Sequence, residues 1–134
     1  MTAAGLIAQA AKRLSDAGVP EPELDAKILF LEAFHMDQVH FLMNRMRPLT
    51  EEQRVQKETY EAMIDRRSAR VPLQQILGSQ EFMGLTFRVT PDVLIPRQDT
   101  ETLVEEALKF ARPQMKILDM CTGSGCIIIS ILHN

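Results

Sequence analysis

Cysteine is scarce in this 134-residue chain, and so are long apolar runs and any surplus of charge. Two thiols, Cys121 and Cys126, are too few for a disulfide framework and lack the two-residue spacing of zinc or thioredoxin-like pairs, so both are expected to be reduced. No apolar run reaches the roughly 18 to 20 residues that cross a bilayer, and Met1-Thr-Ala-Ala-Gly-Leu6 offers no basic segment followed by a hydrophobic block. These absences predict a cytoplasmic protein with no membrane contact. Fifteen basic and 18 acidic side chains leave a net charge of -3, which recruits neither nucleic acid nor anionic lipid, and no direct nucleic-acid binding is expected. His35, His40 and His133 are spaced neither as i, i+4 ligands nor beside a cluster of Cys or carboxylates, so no metal site is expected. Repeats and low-complexity segments are also absent. What remains, 46% hydrophobic and 25% charged, is the composition of a soluble globular protein able to bury a core.

Apolar spacing divides the chain into three parts. Residues 1–70 carry helical periodicity without strand-like alternation. Leu6, Ile7, Ala10 and Leu14 form one stripe closed by Gly18, and Pro22 opens a second helix whose expected face is Leu24, Ile28, Leu31 and Phe34. Asp37 caps a short third helix with Val39, Phe41 and Leu42. Thr50 and Gln53 make a capping box for a longer fourth helix, in which Val55, Met63 and Ile64 point inward beside Tyr60. The prediction is an antiparallel helical bundle. Residues 71–99 read as a hairpin linker: Gly78 and Gly84 punctuate Gln80-Glu-Phe-Met83 and Leu85-Thr-Phe-Arg-Val-Thr90, where Leu85, Phe87 and Val89 alternate with polar residues. From Thr100 the helical pattern returns with Leu103, Val104, Ala107 and Leu108, followed by a strand over residues 116–119 and a helix over 126–133.

The chemistry concentrates in Asp119-Met-Cys-Thr-Gly-Ser-Gly125. Glycines two apart allow a ligand to approach the backbone, and the N–H groups of the following helix favour acceptor atoms. The loop is not a dinucleotide G-x-G-x-x-G, because Ile128 stands three after Gly125, and it is not a Walker loop, because no Gly-Lys-Ser/Thr follows. It resembles D-x-G-x-G-x-G, the first motif of class I S-adenosylmethionine-dependent methyltransferases, with Cys121 in place of the first glycine.

Three further segments extend that resemblance: Pro72-Leu-Gln-Gln-Ile-Leu-Gly78, Phe82-Met-Gly-Leu-Thr-Phe87 and Val93-Leu-Ile-Pro-Arg-Gln-Asp-Thr-Glu101. In this order, and with the glycine loop after them, they resemble the release-factor glutamine methyltransferases, the PrmC/HemK family, over essentially the whole chain. Gln98 stands where that family usually has proline, and Gln75 where tyrosine is common. The resemblance implies an α-helical N-terminal bundle (1–70) that recognises substrate, a β-hairpin linker (71–99) and the first strand-turn-helix of a class I, Rossmann-like α/β methyltransferase domain (100–134), truncated. It implies methyl transfer from S-adenosyl-L-methionine to the glutamine of the Gly-Gly-Gln tip of peptide-chain release factors. The implied cofactor-binding residues are Asp119, Cys121, Thr122, Gly123, Ser124 and Gly125, with Arg97, Thr100 and Glu101 at the methionine end.

Alternatives accompany these assignments. Asp119 either serves the cofactor or caps the next helix; Thr100 and Glu101 equally suit a helix start. Cys126 reads as core. Arg45, Arg47, Arg54, Arg66, Arg67 and Arg70 belong by default to a mixed solvated surface, and otherwise to a docking face for the release factor or ribosomal RNA; Met36, Met43 and Met46 suit an adaptable contact surface or core filling. The family's Asn-Pro-Pro-Tyr segment and a ribose-binding acid about 20 residues beyond the loop do not occur before Asn134, so no catalytic residue is assigned. The chain alone is expected to be inactive, and its tail to be prone to self-association. The other function class is a non-catalytic, helical partner-binding module with a vestigial cofactor loop.

Overall fold

Thr2 starts the first helix: its Oγ1 accepts the Gly5 N–H at 3.1 Å, and α1 runs Ala3–Asp16 with Leu6, Ala10 and Leu14 buried along one face. The computed structural model describes all of residues 1–134 and contains two compact units, Met1–Leu77 and Gly78–Asn134. This division falls between residues 77 and 78, beyond the expected boundary at residue 70. In the first unit α2 (Pro22–Ala33), α3 (Gln38–Asn44), α4 (Arg54–Ser68) and α5 (Leu73–Leu77) follow α1. α4 ends at Ser68 and the chain turns at Arg70 (φ 70°), before Pro72 leads directly into α5, a helix not expected from the sequence; proline suits the start of a helix, where its missing N–H costs nothing.

The core of this unit lies where α1, α2 and α4 pack against one another. Phe30 is its centre, stacked on Phe34 at a ring-centroid distance of 4.2 Å and edge-on to Tyr60 at 5.5 Å. The Tyr60 hydroxyl donates to the Ala26 carbonyl at 2.9 Å, which satisfies the one polar atom of an otherwise buried ring. Arg67 Nε donates to the buried Asp25 carboxylate at 2.8 Å and Nη1 to the Val71 carbonyl at 3.1 Å, linking α4 to α2 and to the chain leaving α4.

Helix positions match the expectations better than helix faces do. α2 buries Ala26, Leu29, Phe30 and Ala33, with Leu24 exposed; α3 buries Phe41, with Val39 and Leu42 exposed; α4 buries Tyr60 and Ile64, with Val55 exposed. The caps are as predicted. Asp37 Oδ1 accepts the His40 N–H at 2.7 Å, and the Gln53 side chain accepts the Thr50 N–H at 3.0 Å, here capping a 3-10 turn (Glu51–Gln53) that feeds α4. The connection after α3 is tied to the start of α1: Ala4 N–H donates to the Arg45 carbonyl at 2.9 Å and Leu49 N–H to the Met1 carbonyl at 3.0 Å.

The second unit begins with the expected antiparallel hairpin, β1 (Ser79–Phe82) and β2 (Leu85–Arg88), registered Ser79 to Arg88 and Phe82 to Leu85. Its two-residue turn, Met83-Gly84, holds both residues at positive φ (50° and 74°), the backbone sense that matches the twist of the strands. Phe82 and Phe87 are buried edge-to-face at 6.1 Å, and Val104 joins them from α6 (Glu101–Leu108), with Leu108, Cys126, Ile127 and Ile131 packed around this small core. α7 (Cys126–His133) is the expected last helix. Residues 116–119 do not form the expected strand. A strand exists only through its partner, and the one sheet here is β1–β2; Leu118 is left 84% exposed.

Candidate cofactor loop

The loop from Asp119 to Gly125 is built by backbone conformations that side chains disfavour. Cys121 (φ 57°), Gly123 (φ 57°) and Gly125 (φ 81°) all lie in the left-handed region, so alternate residues turn the chain back on itself. Cys121 thus has the conformation glycine adopts freely, at the position where the methyltransferase motif carries glycine. Thr122 Oγ1 donates to Asp119 Oδ2 at 3.0 Å, and the Gly125 N–H donates to the Thr122 carbonyl at 2.9 Å, which closes the turn. Asp119 is engaged inside the loop and does not cap α7.

Gly125 itself is the N-cap of α7. Its carbonyl accepts the Ile129 N–H at 2.9 Å, the first bond of the helix, and no side chain caps the end. The N–H groups of Cys126, Ile127 and Ile128 therefore have no partner within the helix and carry the positive end of its dipole. Built on Gly125, a Cβ would come 3.0 Å from Ile129 Cδ1, in a backbone conformation that strains any side chain. The loop can present amides and a carboxylate to a ligand, with Cys121, Thr122 and Gly123 exposed and Asp119 and Ser124 half-buried.

Arg97, Thr100 and Glu101 lie around the start of α6. A 3-10 turn (Gln98–Thr100) leads into it, with the Thr100 N–H donating to the Arg97 carbonyl at 3.0 Å; Thr100 makes no side-chain cap. Glu101 Oε1 accepts the Met83 N–H at 2.9 Å and so fastens α6 to the hairpin turn. It also lines a cavity of about 240 Å³ with Gln80, Glu81 and Gln98. That gathering was invisible in the sequence, since Glu101 and Met83 are 18 positions apart and meet only where α6 packs on the hairpin. α6 packs on α7, which begins at the glycine loop, but no hydrogen bond joins Arg97 to that loop.

Among the arginines considered for docking, several are already occupied. Arg54 pairs with Glu58 at 3.2 Å, Arg67 with Asp25, and Arg70 donates to the Gly18 carbonyl, whereas Arg45, Arg47 and Arg66 form no ion pair. Met36 packs against the core, and Met43 and Met46 face solvent. No helix is long and apolar enough to cross a membrane.

Comparison with known proteins places these features in a family. Residues 5–78 match the family described as the PrmC N-terminal domain. The chain is 43% identical over 118 residues to a release factor glutamine methyltransferase of Geobacter sulfurreducens, covering 88% of this chain and 40% of that protein. Proteins of the same name from Moorella thermoacetica and Bradyrhizobium diazoefficiens are each 40% identical, over 99% and 92% of this chain and 47% and 42% of their own lengths. The chain spans less than half the length of these curated relatives. With its helical unit matched by the family and most of its length aligned to those proteins, the chain belongs to the PrmC family of release factor glutamine methyltransferases.

Proposed function

We propose that this chain is the N-terminal part of a protein-glutamine N5-methyltransferase, in which residues 1–77 engage the protein substrate and the loop Asp119–Gly125 begins the site for S-adenosyl-L-methionine. The observation that carries the cofactor assignment is the run of three left-handed residues, Cys121, Gly123 and Gly125, opening onto the uncapped N-terminus of α7. The residues fit the group. Exposed loop backbone allows close approach, Asp119 offers acceptor oxygens, and the free amides of α7 offer donors. S-Adenosylmethionine supplies an activated methyl on a sulfonium; the side-chain amide nitrogen of the acceptor glutamine is a weak nucleophile and reacts only when held in line. Arg97, Thr100 and Glu101 are assigned to the methionine end of that site, with Glu101 held in place by the Met83 amide. The substrate proposed is the Gly-Gly-Gln glutamine of peptide-chain release factors.

The test is methyl transfer from labelled S-adenosylmethionine to a purified release factor by the whole protein that contains this sequence, read by mass spectrometry of the Gly-Gly-Gln peptide. One methyl on that glutamine is expected, and an unmodified glutamine alongside turnover of another acceptor overturns the assignment. The 134-residue chain alone is expected to leave the factor unlabelled and to bind the cofactor weakly. One loop and the helix after it supply a few donors but no enclosing sheet.

A further inference from the structure

α3 is an amphipathic helix mounted with much of its apolar surface outward. Phe41 faces the core, while Val39, Leu42, Met43 and, just past the helix, Met46 are each more than half exposed. Their spacing of i, i+3, i+4 and i+7 places them in one stripe, the pattern of a helix that packs against something else. The segment is not a loose end. Asp37 caps it, Phe41 anchors it, and the carbonyl of Arg45 is bonded to the Ala4 N–H.

The charge around the stripe indicates what covers it. Residues 38–48 contain Arg45 and Arg47 and no carboxylate, and neither arginine forms an ion pair. Beside the stripe Asn44 and Arg47 line a cleft of about 340 Å³ that reaches Met36 and Phe30, with Glu52 its one carboxylate. Self-pairing about a two-fold axis would present the same cations from both sides, and like charges across an interface oppose association. A nucleic acid would use the arginines but leave four apolar side chains uncovered.

We infer that Val39, Leu42, Met43 and Met46, flanked by Arg45 and Arg47, form a docking surface for a protein partner that presents an apolar patch ringed by acidic side chains. The partner is the protein substrate, a step that rests on the proposed function. Two flexible methionines let the stripe adapt to its partner's contour, and the cations steer encounter and fix register.

Calorimetric titration of this chain with a purified bacterial release factor tests the inference. Met43→Glu and the double change Arg45→Glu with Arg47→Glu are each expected to weaken binding about 10-fold or more, with Met43→Ala weakening it less and Val55→Glu, an equally exposed site on α4, leaving it unchanged. All these positions are exposed, so the variants keep their fold. No binding by the unaltered chain, equal binding by all variants, a dimer broken by Met43→Glu, or RNA binding lost with the arginines would each overturn the inference. The proposed function is separated by a second arm using the whole protein. Methylation of the release factor with kcat/KM unmoved by the stripe variants would sink the docking surface alone, whereas loss of methylation in the unaltered protein would sink the function.

Discussion

Cys121 is a single side chain at odds with its backbone. A left-handed residue that is not glycine costs about 1–2 kcal/mol, and glycine gives back roughly half of that as extra freedom in the unfolded chain. Cys121→Gly is therefore expected to stabilise the loop by about 0.5 kcal/mol net, and Gly125→Ala to destabilise it by about 1–2 kcal/mol, both read from exchange of the hydrogen-bonded amides of residues 125 and 129. Slower exchange in Gly125→Ala than in the parent would contradict the loop geometry. Tyr60 is a residue of the opposite kind, wholly consistent with its site. Burial pushes its phenol above the ordinary value of 10.0, with the negative charge of Glu61 adding to the effect. Because the folded state holds the proton more tightly, the stability involved is complete below pH 10 and declines as the pH rises beyond it. Tyr60→Phe is expected to cost about 1 kcal/mol at neutral pH by removing the hydrogen bond from its hydroxyl to the Ala26 carbonyl, and to flatten the alkaline decline in urea midpoint.

Elements in this chain were legible as segments and less so as oriented bodies. Caps and stops are local chemistry, so Thr50 with Gln53, Asp37, Gly18 and Pro22 mark helix ends from the sequence alone. Which side of a helix is buried depends on neighbours far along the chain. Leu24, Val39, Leu42 and Val55 have the spacing of core residues and lie exposed, because Phe30, Phe41 and Tyr60 claim the interior through contacts between helices. The Arg67–Asp25 pair is another nonlocal feature, with no signature at a separation of 42 residues. Its side chains are 14% and 9% exposed, so Arg67→Ala strands a buried carboxylate and is expected to cost about 3–5 kcal/mol in denaturant midpoint, whereas a loss under 1 kcal/mol would place the pair effectively in solvent. α3 depends on a more exposed group. Hydrogen bonds from His40 hold the Asp37 carboxyl below its ordinary value of 3.8, so its contribution is complete above that pH and is lost as pH falls through the lower folded value. Amide exchange in α3 is expected to rise there before exchange in α1 does, and Asp37→Asn, which caps without titrating, to remove that dependence.

At the scale of the whole molecule, the two units differ in how their backbones are satisfied. Residues 1–77 close their helices with caps and bury a shared aromatic core, whereas in the second unit no backbone N–H from residue 116 to 124 donates to another backbone group. That segment was legible as a strand because Ile117 and Leu118 lie between polar residues and a glycine turn. It is not one here, since a strand is a property of two segments and the sheet contains only β1 and β2. The same absence leaves Phe110, Leu118, Met120 and Leu132 exposed together with part of Ile129, an apolar surface that favours association. Hydrogen exchange followed by mass spectrometry is expected to show strong protection over α1, α2 and α4 and near-intrinsic rates over residues 116–124 in dilute solution. Raising the protein concentration should slow exchange in 116–124 if the exposed edge and side chains pair between copies, with elution volume falling in parallel. Protection of 116–124 in a dilute monomer would mean that these amides have acceptors within one chain, and the picture of an unpaired strand awaiting a neighbour would be wrong.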